Sequence, residues 1–180
     1  MTTCKTCIPI SASPKALKRS RRIIGIDPGL AFTGWGVLDC AGGKVRYVDH
    51  GHIETRADRP RAERLFFIME SVRSILDEYK PGEAAIETLY FGKNVSSAIP
   101  VAEARGVISA VLAERGLPLL ELTPNAIKKG VAGVSKADKR QVQEMVRVIL
   151  GLSEIPRPDH AADALGAAIC AAGSNSVLVV

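Results

Sequence analysis

A short apolar strand that stops at a carboxylate limits the folds open to this chain. Residues 22–26 are mostly apolar, and Asp27-Pro28-Gly29 follows them directly. Proline presets one position of a turn and glycine is expected to adopt positive φ at the next, so the pattern predicts a strand that ends in a sharp turn. The carboxylate of Asp27 is therefore expected at the edge of a sheet.

Strands and helices are predicted to alternate after this turn. Two β segments joined by Ala41-Gly42-Gly43-Lys44 predict an antiparallel hairpin, and the later segments alternate between short apolar runs and the three-and-four spacing of helices. The predicted order is βββαβαβαα, with strands at 22–26, 33–40, 45–55, 84–87 and 118–122 and helices at 60–79, 96–115, 138–150 and 159–172. This order predicts an α/β fold with a mixed five-stranded sheet, an antiparallel hairpin plus parallel strands, flanked by helices.

The net charge of +5 favours an acidic partner, with nucleic acid first. Six basic and no acidic residues lie in residues 1–26, which leaves 18 basic and 19 acidic residues in the rest of the chain. We expect a flexible basic extension at 1–20, one domain at 21–173 and a short tail at 174–180. No apolar run reaches the roughly 20 residues that a membrane-spanning helix needs, so the sequence predicts a cytoplasmic protein without a membrane partner.

Four side chains are candidates for one site. Asp27 and Glu87 each lie at the carboxyl end of a predicted strand, and His160 and Asp163 lie three positions apart on one face of a helix. If they converge, two carboxylates about 4 Å apart repel by roughly 4 kcal/mol at an effective dielectric near 20. Cations between them would relieve this repulsion, and two Mg²⁺ or Mn²⁺ ions are the usual pair in phosphodiester hydrolysis.

Simpler interpretations of the same residues stay open at this point. Aspartate before Pro-Gly is ordinary turn chemistry, and a glutamate at a strand end is often solvated. Asp163 in the first turn of a helix is favoured by the helix dipole alone. His50 and His52 alternate along a predicted strand and are interpreted as part of a solvated face.

Several segments, taken together and in order, resemble the RuvC family of Holliday junction resolvases. They are Ile24-Gly25-Ile26-Asp27-Pro28-Gly29, Thr33-Gly34 with Gly36, Ala85-Ile86-Glu87, Lys93-Asn94, Ala104-Arg105-Gly106 and Ala161-Ala162-Asp163-Ala164-Leu165. The resemblance implies an RNase H-like fold and a homodimer. It also implies paired incisions in four-way junction DNA with Mg²⁺ or Mn²⁺, and a branch-migration helicase complex as a further partner.

The same resemblance assigns roles to the four candidate residues. Asp27, Glu87 and Asp163 match the family's metal-binding acids, and His160 stands where the family usually has aspartate. His160 is then a metal ligand or a proton carrier. Because imidazole is a softer ligand than carboxylate, we expect a preference for Mn²⁺ over Mg²⁺.

The resemblance also indicates where junction DNA binds. Residues 88–94 match the family's junction-contacting loop, in which Tyr90, with Phe91 beside it, would stack on an unpaired base and Lys93 would contact phosphate. An aromatic pair after a strand is as often part of a core. Residues 125–147 carry a local charge of +4, which is typical of a solvated face or a phosphate-binding stripe, and Lys128 and Lys139 match basic positions that the family uses on DNA.

One face of the predicted 96–115 helix is a candidate dimer interface. Small side chains on this face, among them Ala110, predict close packing against a second copy or against the chain's own sheet.

Two other functions are alternatives to a nuclease. An actin-like ATPase has a phosphate loop similar to residues 24–34, but it needs two lobes and 180 residues are too few. A non-catalytic junction-binding module would not need Asp27, Glu87 and Asp163 together.

Overall fold

The computed structural model describes residues 20–88 and 95–174, with side-chain positions from residue 98 in the second stretch. Predictions that concern residues 1–19, 89–94 and 175–180 lie outside the described residues. The strands are β1 Arg21–Asp27, β2 Phe32–Ala41, β3 Lys44–Glu54, β4 Glu83–Glu87 and β5 Leu119–Leu122. The helices are α1 Arg61–Tyr79, α2 Val95–Glu114, α3 Pro124–Ala132, α4 Lys139–Leu150 and α5 Asp159–Gly173.

The strands form one mixed sheet in the order β3-β2-β1-β4-β5. β2 pairs antiparallel with β1 and with β3, whereas β4 pairs parallel with β1 and with β5. The predicted hairpin and parallel strands are therefore confirmed. The β2–β3 turn contains Gly42 at φ 60° and Gly43 at φ 82°, a conformation that glycine adopts readily.

Two local predictions were wrong. Gly29 does not have positive φ; glycine is required there because a Cβ atom would lie 2.4 Å from the carbonyl oxygen of Phe32. A separate helix, α3, also follows β5, so the order is βββαβαβααα. Thr123 is its N-cap, since the Thr123 side chain accepts a hydrogen bond from the Ala126 amide at 3.1 Å. The apolar pattern does not indicate this helix, because its nine residues bury only Ile127 and Val131.

Helices cover both faces of the sheet. Side chains alternate along a strand, so Ile24 and Ile26 pack with α1 and α2 on one face, while Ile23 and Ala85 pack with α3, α4 and α5 on the other. Within the described ranges, no helix has the length and apolar character needed to cross a membrane. The same alternation decides which face of the sheet carries the candidate acids.

Candidate active site

Asp27 and Glu87 belong to the sheet face that α5 covers. Asp27 has the same alternation as Ile23 in β1, and Glu87 has the same alternation as Ala85 in β4; both apolar side chains pack against α5. β1 and β4 are parallel neighbours, so their carboxyl ends lie at the same edge of the sheet. This edge is where ligands bind in open α/β sheets.

Two glycines let the backbone of α5 approach the sheet at this point. A Cβ atom on Gly25 would lie 2.0 Å from the carbonyl oxygen of Ala164, and one on Gly34 would lie 2.0 Å from that of His160. Any larger residue at either position would collide with helix backbone. These glycines, together with the small buried residues of α5, explain how a helix distant in sequence reaches Asp27.

Asp27, His160 and Asp163 meet in one cluster. Each offers a possible metal-ligand atom, and these atoms lie within 4.8 Å of one another. The Nδ1 atom of His160 lies 2.7 Å from Oδ2 of Asp27. A carboxylate can only accept a hydrogen bond, so Nδ1 is the donor and Nε2 is the ring nitrogen left for a ligand or a proton. This hydrogen bond raises the pKa of His160.

Glu87 lies beside the cluster in a groove of about 240 Å³. Burial, together with the negative charges of Asp27 and Asp163, raises the pKa of Glu87 to about 7, and Lys128 and Lys139 partly oppose this shift. Burial also raises the pKa of Asp163. Two of the acids therefore lie where the charged form is unfavourable without a compensating cation.

Lys139, which the sequence indicates only as a DNA-contacting residue, directly contacts the acidic cluster. Its Nζ lies 3.3 Å from Oδ2 of Asp159 and 3.4 Å from Oδ2 of Asp163. Lys128 lines the groove beside Glu87. Arg147, another basic residue of the 125–147 segment, instead pairs with Glu144 at 2.5 Å. Of the predicted basic segment, Lys128 and Lys139 therefore lie beside the acids, whereas Arg147 is paired within α4.

The residues of the cluster fit a divalent cation. Carboxylate oxygens with one imidazole nitrogen are suitable ligands for Mg²⁺ or Mn²⁺. Burial raises the pKa of Glu87 and of Asp163, and a cation bound beside them would favour their charged, ligating forms. The ammonium group of Lys139 already supplies one positive charge at the edge of the cluster.

Three predicted DNA-contacting residues, Tyr90, Phe91 and Lys93, lie outside the described residues.

Phe32 is a neighbour of the acidic cluster that the sequence analysis does not predict. The ring of Phe32 stacks on the ring of His160 with centroids 5.8 Å apart and an interplanar angle of 12°. Phe32 precedes the Thr33-Gly34 motif, and its position at the start of a strand near Asp27 was the available signal.

The chain is similar in sequence and in structure to proteins of one nuclease family. The family "Crossover junction endodeoxyribonuclease RuvC" matches residues 23–171. The RuvC proteins of Treponema denticola and Chloroflexus aggregans are each 52% identical to this chain; the first match covers 82% of this chain and 83% of the relative, and the second covers 83% and 91%. The structure of Thermus thermophilus RuvC in complex with Holliday junction substrate has 34% identity and a TM-score of 0.78, covering 83% of this chain and 92% of that one.

The sheet topology, the acidic cluster and the similarity to Thermus thermophilus RuvC define a nuclease of RNase H-like fold. The predicted fold class is confirmed. The chain belongs to the RuvC family of crossover junction endodeoxyribonucleases, as its sequence motifs predict. Neither an actin-like ATPase lobe nor a non-catalytic binding module is favoured by these matches.

Proposed function

We propose that this protein resolves four-way DNA junctions by metal-dependent phosphodiester hydrolysis, with Asp27, Glu87, His160 and Asp163 as its active-site residues. The observation that carries the proposal is the convergence of Asp27, His160 and Asp163 at the carboxyl edge of the sheet. Glu87 lies in the adjoining groove. Residues 21–173 form the nuclease domain, and residues 1–20 add affinity for DNA through charge alone.

Asp27, Glu87, His160 and Asp163 would hold two ions of Mg²⁺ or Mn²⁺. Metal ions held there would supply Lewis acidity for an attacking water and for the departing 3′ oxygen of the phosphodiester. Asp27 orients His160 by accepting the Nδ1 hydrogen, which leaves Nε2 as ligand or proton acceptor. Partial burial raises the pKa of Glu87, so a cation bound beside it would favour its charged form.

Lys128 and Lys139 would contact the phosphate backbone beside the scissile bond. Both lie in the groove with Glu87, so their positive charges flank the acids. Tyr90 and Phe91 would stack on bases at the junction centre and Lys93 would contact phosphate, as the family resemblance implies. Replacing Lys128 and Lys139 together should reduce the slope of log K against log salt by about 0.9 per lost phosphate contact. An unchanged slope would remove both lysines from the DNA interface.

We also propose a homodimer, because two symmetric incisions require two active sites related by a twofold axis. Ile108 and Leu112 of α2 are buried against the sheet and α1. Gly106 and Ala110 on the small-residue face are exposed in the single chain, so this face is left for a partner. The dimer would act in the cytoplasm, with a branch-migration helicase complex as its further partner.

Sedimentation of Ala110→Phe tests this interface. We expect monomers, because the larger ring would separate two closely packed copies of α2. Ala62→Phe, at an exposed alanine of α1, is the matched control and should leave the dimer intact. A dimeric Ala110→Phe protein would show that α2 is not the interface.

Cleavage of a synthetic four-way junction tests the function itself. A duplex of the same sequence serves as the substrate control, and Asp58→Asn, an exposed acid paired with Arg56, serves as the protein control. We expect nicks at symmetric positions on opposite strands of the junction with Mg²⁺ or Mn²⁺, and none without a divalent ion. Equal cutting of junction and duplex, or cutting in EDTA, would contradict the proposal.

A further inference from the structure

Phe32 is an exposed aromatic side chain that core packing does not explain. It is the first residue of β2, is 38% exposed and belongs to neither cluster of core residues. Its ring stacks on His160, and on β3 the ring of His52 lies 6.1 Å away at a tilt of 43°. Toward the acidic cluster, the ring of Phe32 faces the ring of His160.

Two contacts restrain the imidazole of His160. The hydrogen bond from Nδ1 to Asp27 fixes one edge of the ring at 2.7 Å. A hydrogen bond at one edge still permits the ring to tilt about that bond. The nearly parallel ring of Phe32 opposes this tilt, which matters because the His160 side chain is 42% exposed even with Phe32 in place. Asp27 and Phe32 together thus determine where Nε2 lies.

Phe32 is held by the same loop that follows Asp27. The Thr33 hydroxyl donates a hydrogen bond to the Gly29 carbonyl at 2.7 Å, and the Thr55 amide donates one to the Ala31 carbonyl at 3.0 Å. The close approach of Gly29 to the Phe32 carbonyl packs the loop further. Asp27 and Phe32 are therefore two ends of one rigid segment, and both contact His160.

We infer that Phe32 is a positioning residue for His160 in the cleavage reaction, an inference that rests on the proposed function. Phe32 keeps the imidazole in the orientation in which Nδ1 bonds Asp27 and Nε2 remains free for a ligand or a proton. His52 supports the outer side of the Phe32 ring from β3. Stacking of Phe32 on a DNA base is the competing role; it predicts that loss of the ring weakens junction affinity, whereas positioning predicts a slower rate at saturation.

Single-turnover cleavage and junction affinity are measured separately for Phe32→Ala and Phe32→Tyr, each in the wild-type and the His160→Ala background. Phe32→Ala should slow cleavage about tenfold, since a misplaced reacting group loses rate, while the junction Kd stays within about twofold of wild type because no DNA contact is lost. Phe32→Tyr keeps the ring and should restore the rate. In the His160→Ala background, Phe32→Ala should cause no further loss.

Nuclear magnetic resonance supplies a readout that needs no cleavage. The ring protons of His160 should move downfield in Phe32→Ala, because the ring-current shift from the stacked phenyl ring is lost, and should keep their wild-type positions in Phe32→Tyr. A wild-type protein that does not cut junctions would refute the proposed function but leave this test of positioning intact. Weakened junction affinity with an unchanged rate at saturation, an equal loss in the His160→Ala background, or unmoved His160 signals would overturn the inference.

Discussion

The ammonium nitrogen of Lys139 lies 3.4 Å from Oδ2 of Asp163, so a cation from α4 contacts a carboxylate of α5 at the edge of the acidic cluster. The positive charge of Lys139 is in a position to meet two requirements of a nuclease site. The carboxylates need positive charge nearby, and the substrate phosphate needs it as well. Lys139 can serve both only if its charge does not displace the divalent ion.

Replacing Lys139 should affect metal and DNA in opposite directions. Lys139→Ala removes a positive charge that repels an incoming ion, so the affinity for Mn²⁺ without DNA should rise about fivefold, which corresponds to roughly 1 kcal/mol of Coulomb energy near water. Junction affinity should fall because a phosphate contact is lost. Calorimetry with Mn²⁺ and a binding assay with the junction measure the two effects. Lys136→Ala, an exposed lysine in the same segment, should leave metal affinity unchanged; parallel changes in Lys139→Ala would contradict this role.

The stability of the metal-free protein should depend on Glu87. Its pKa is about 7 in the folded protein, above the ordinary glutamate value, so the protonated form favours folding. Stability from Glu87 is fully present below the unfolded pKa and is lost as the pH rises through about 7. At pH 8, metal-free Glu87→Gln should therefore be more stable than wild type by about 1 to 3 kcal/mol after allowance for solvent screening.

Denaturant unfolding at pH 5 and pH 8, with and without Mn²⁺, measures this effect. The ion should stabilise the wild-type protein more at pH 8 than at pH 5, since the carboxylate is then charged. Glu87→Gln should have lost this pH-dependent gain and its cleavage activity together. Equal stabilities of the two proteins at pH 8 would show that the charged form of Glu87 does not destabilise the folded protein.

Gly34 should tolerate no side chain. Gly34→Ala places a Cβ atom 2.0 Å from the His160 carbonyl, so α5 must shift away from the sheet. We expect a loss of at least about 2 kcal/mol in the free energy of unfolding, as for other overpacked sites, and a loss of cleavage because His160 and Asp163 move from Asp27. Gly173→Ala at the end of α5 has open space around its Cβ and is the matched control. A Gly34→Ala protein with wild-type stability and activity would contradict the observed helix packing.

The imidazole of His160 should determine the choice of ion. We expect the wild-type protein to cleave faster with Mn²⁺ than with Mg²⁺ at matched saturation, because an imidazole nitrogen is a better ligand for the transition-metal ion than for the harder Mg²⁺. His160→Asp restores a carboxylate and should reduce the ratio of the two rates toward one. Equal rates with both ions in the wild-type protein would refute the preference.

The fold could be predicted because β1 and β4 are short apolar runs that end at a carboxylate, and because α1 has the helical spacing of one buried face. The pattern was too short for α3, whose nine residues contribute few apolar positions. It also could not show why Gly29 is glycine, since the obstacle is the carbonyl of Phe32.

The acids of the site could be proposed from strand ends and helix spacing, as Asp27 and Asp163 show. Their neighbours could not, because periodicity does not encode contacts between distant elements. The pairing of Lys139 with Asp163 depends on how α4 packs against α5, and the stacking of Phe32 on His160 depends on the approach of α5 to Gly34. In both cases the chemistry of the site is set by tertiary packing.

Cutting of a supercoiled plasmid that extrudes a cruciform tests the central claim most directly. Paired incisions across the cruciform convert the plasmid to a linear product, whereas a single incision gives a nicked circle. With Mn²⁺ or Mg²⁺, the wild-type protein should give linear product, and Asp27→Asn should bind the junction but cut about a thousandfold more slowly, because several kcal/mol of transition-state stabilisation are lost. Binding without cutting by the wild-type protein, or cutting by Asp27→Asn at the wild-type rate, would contradict the account.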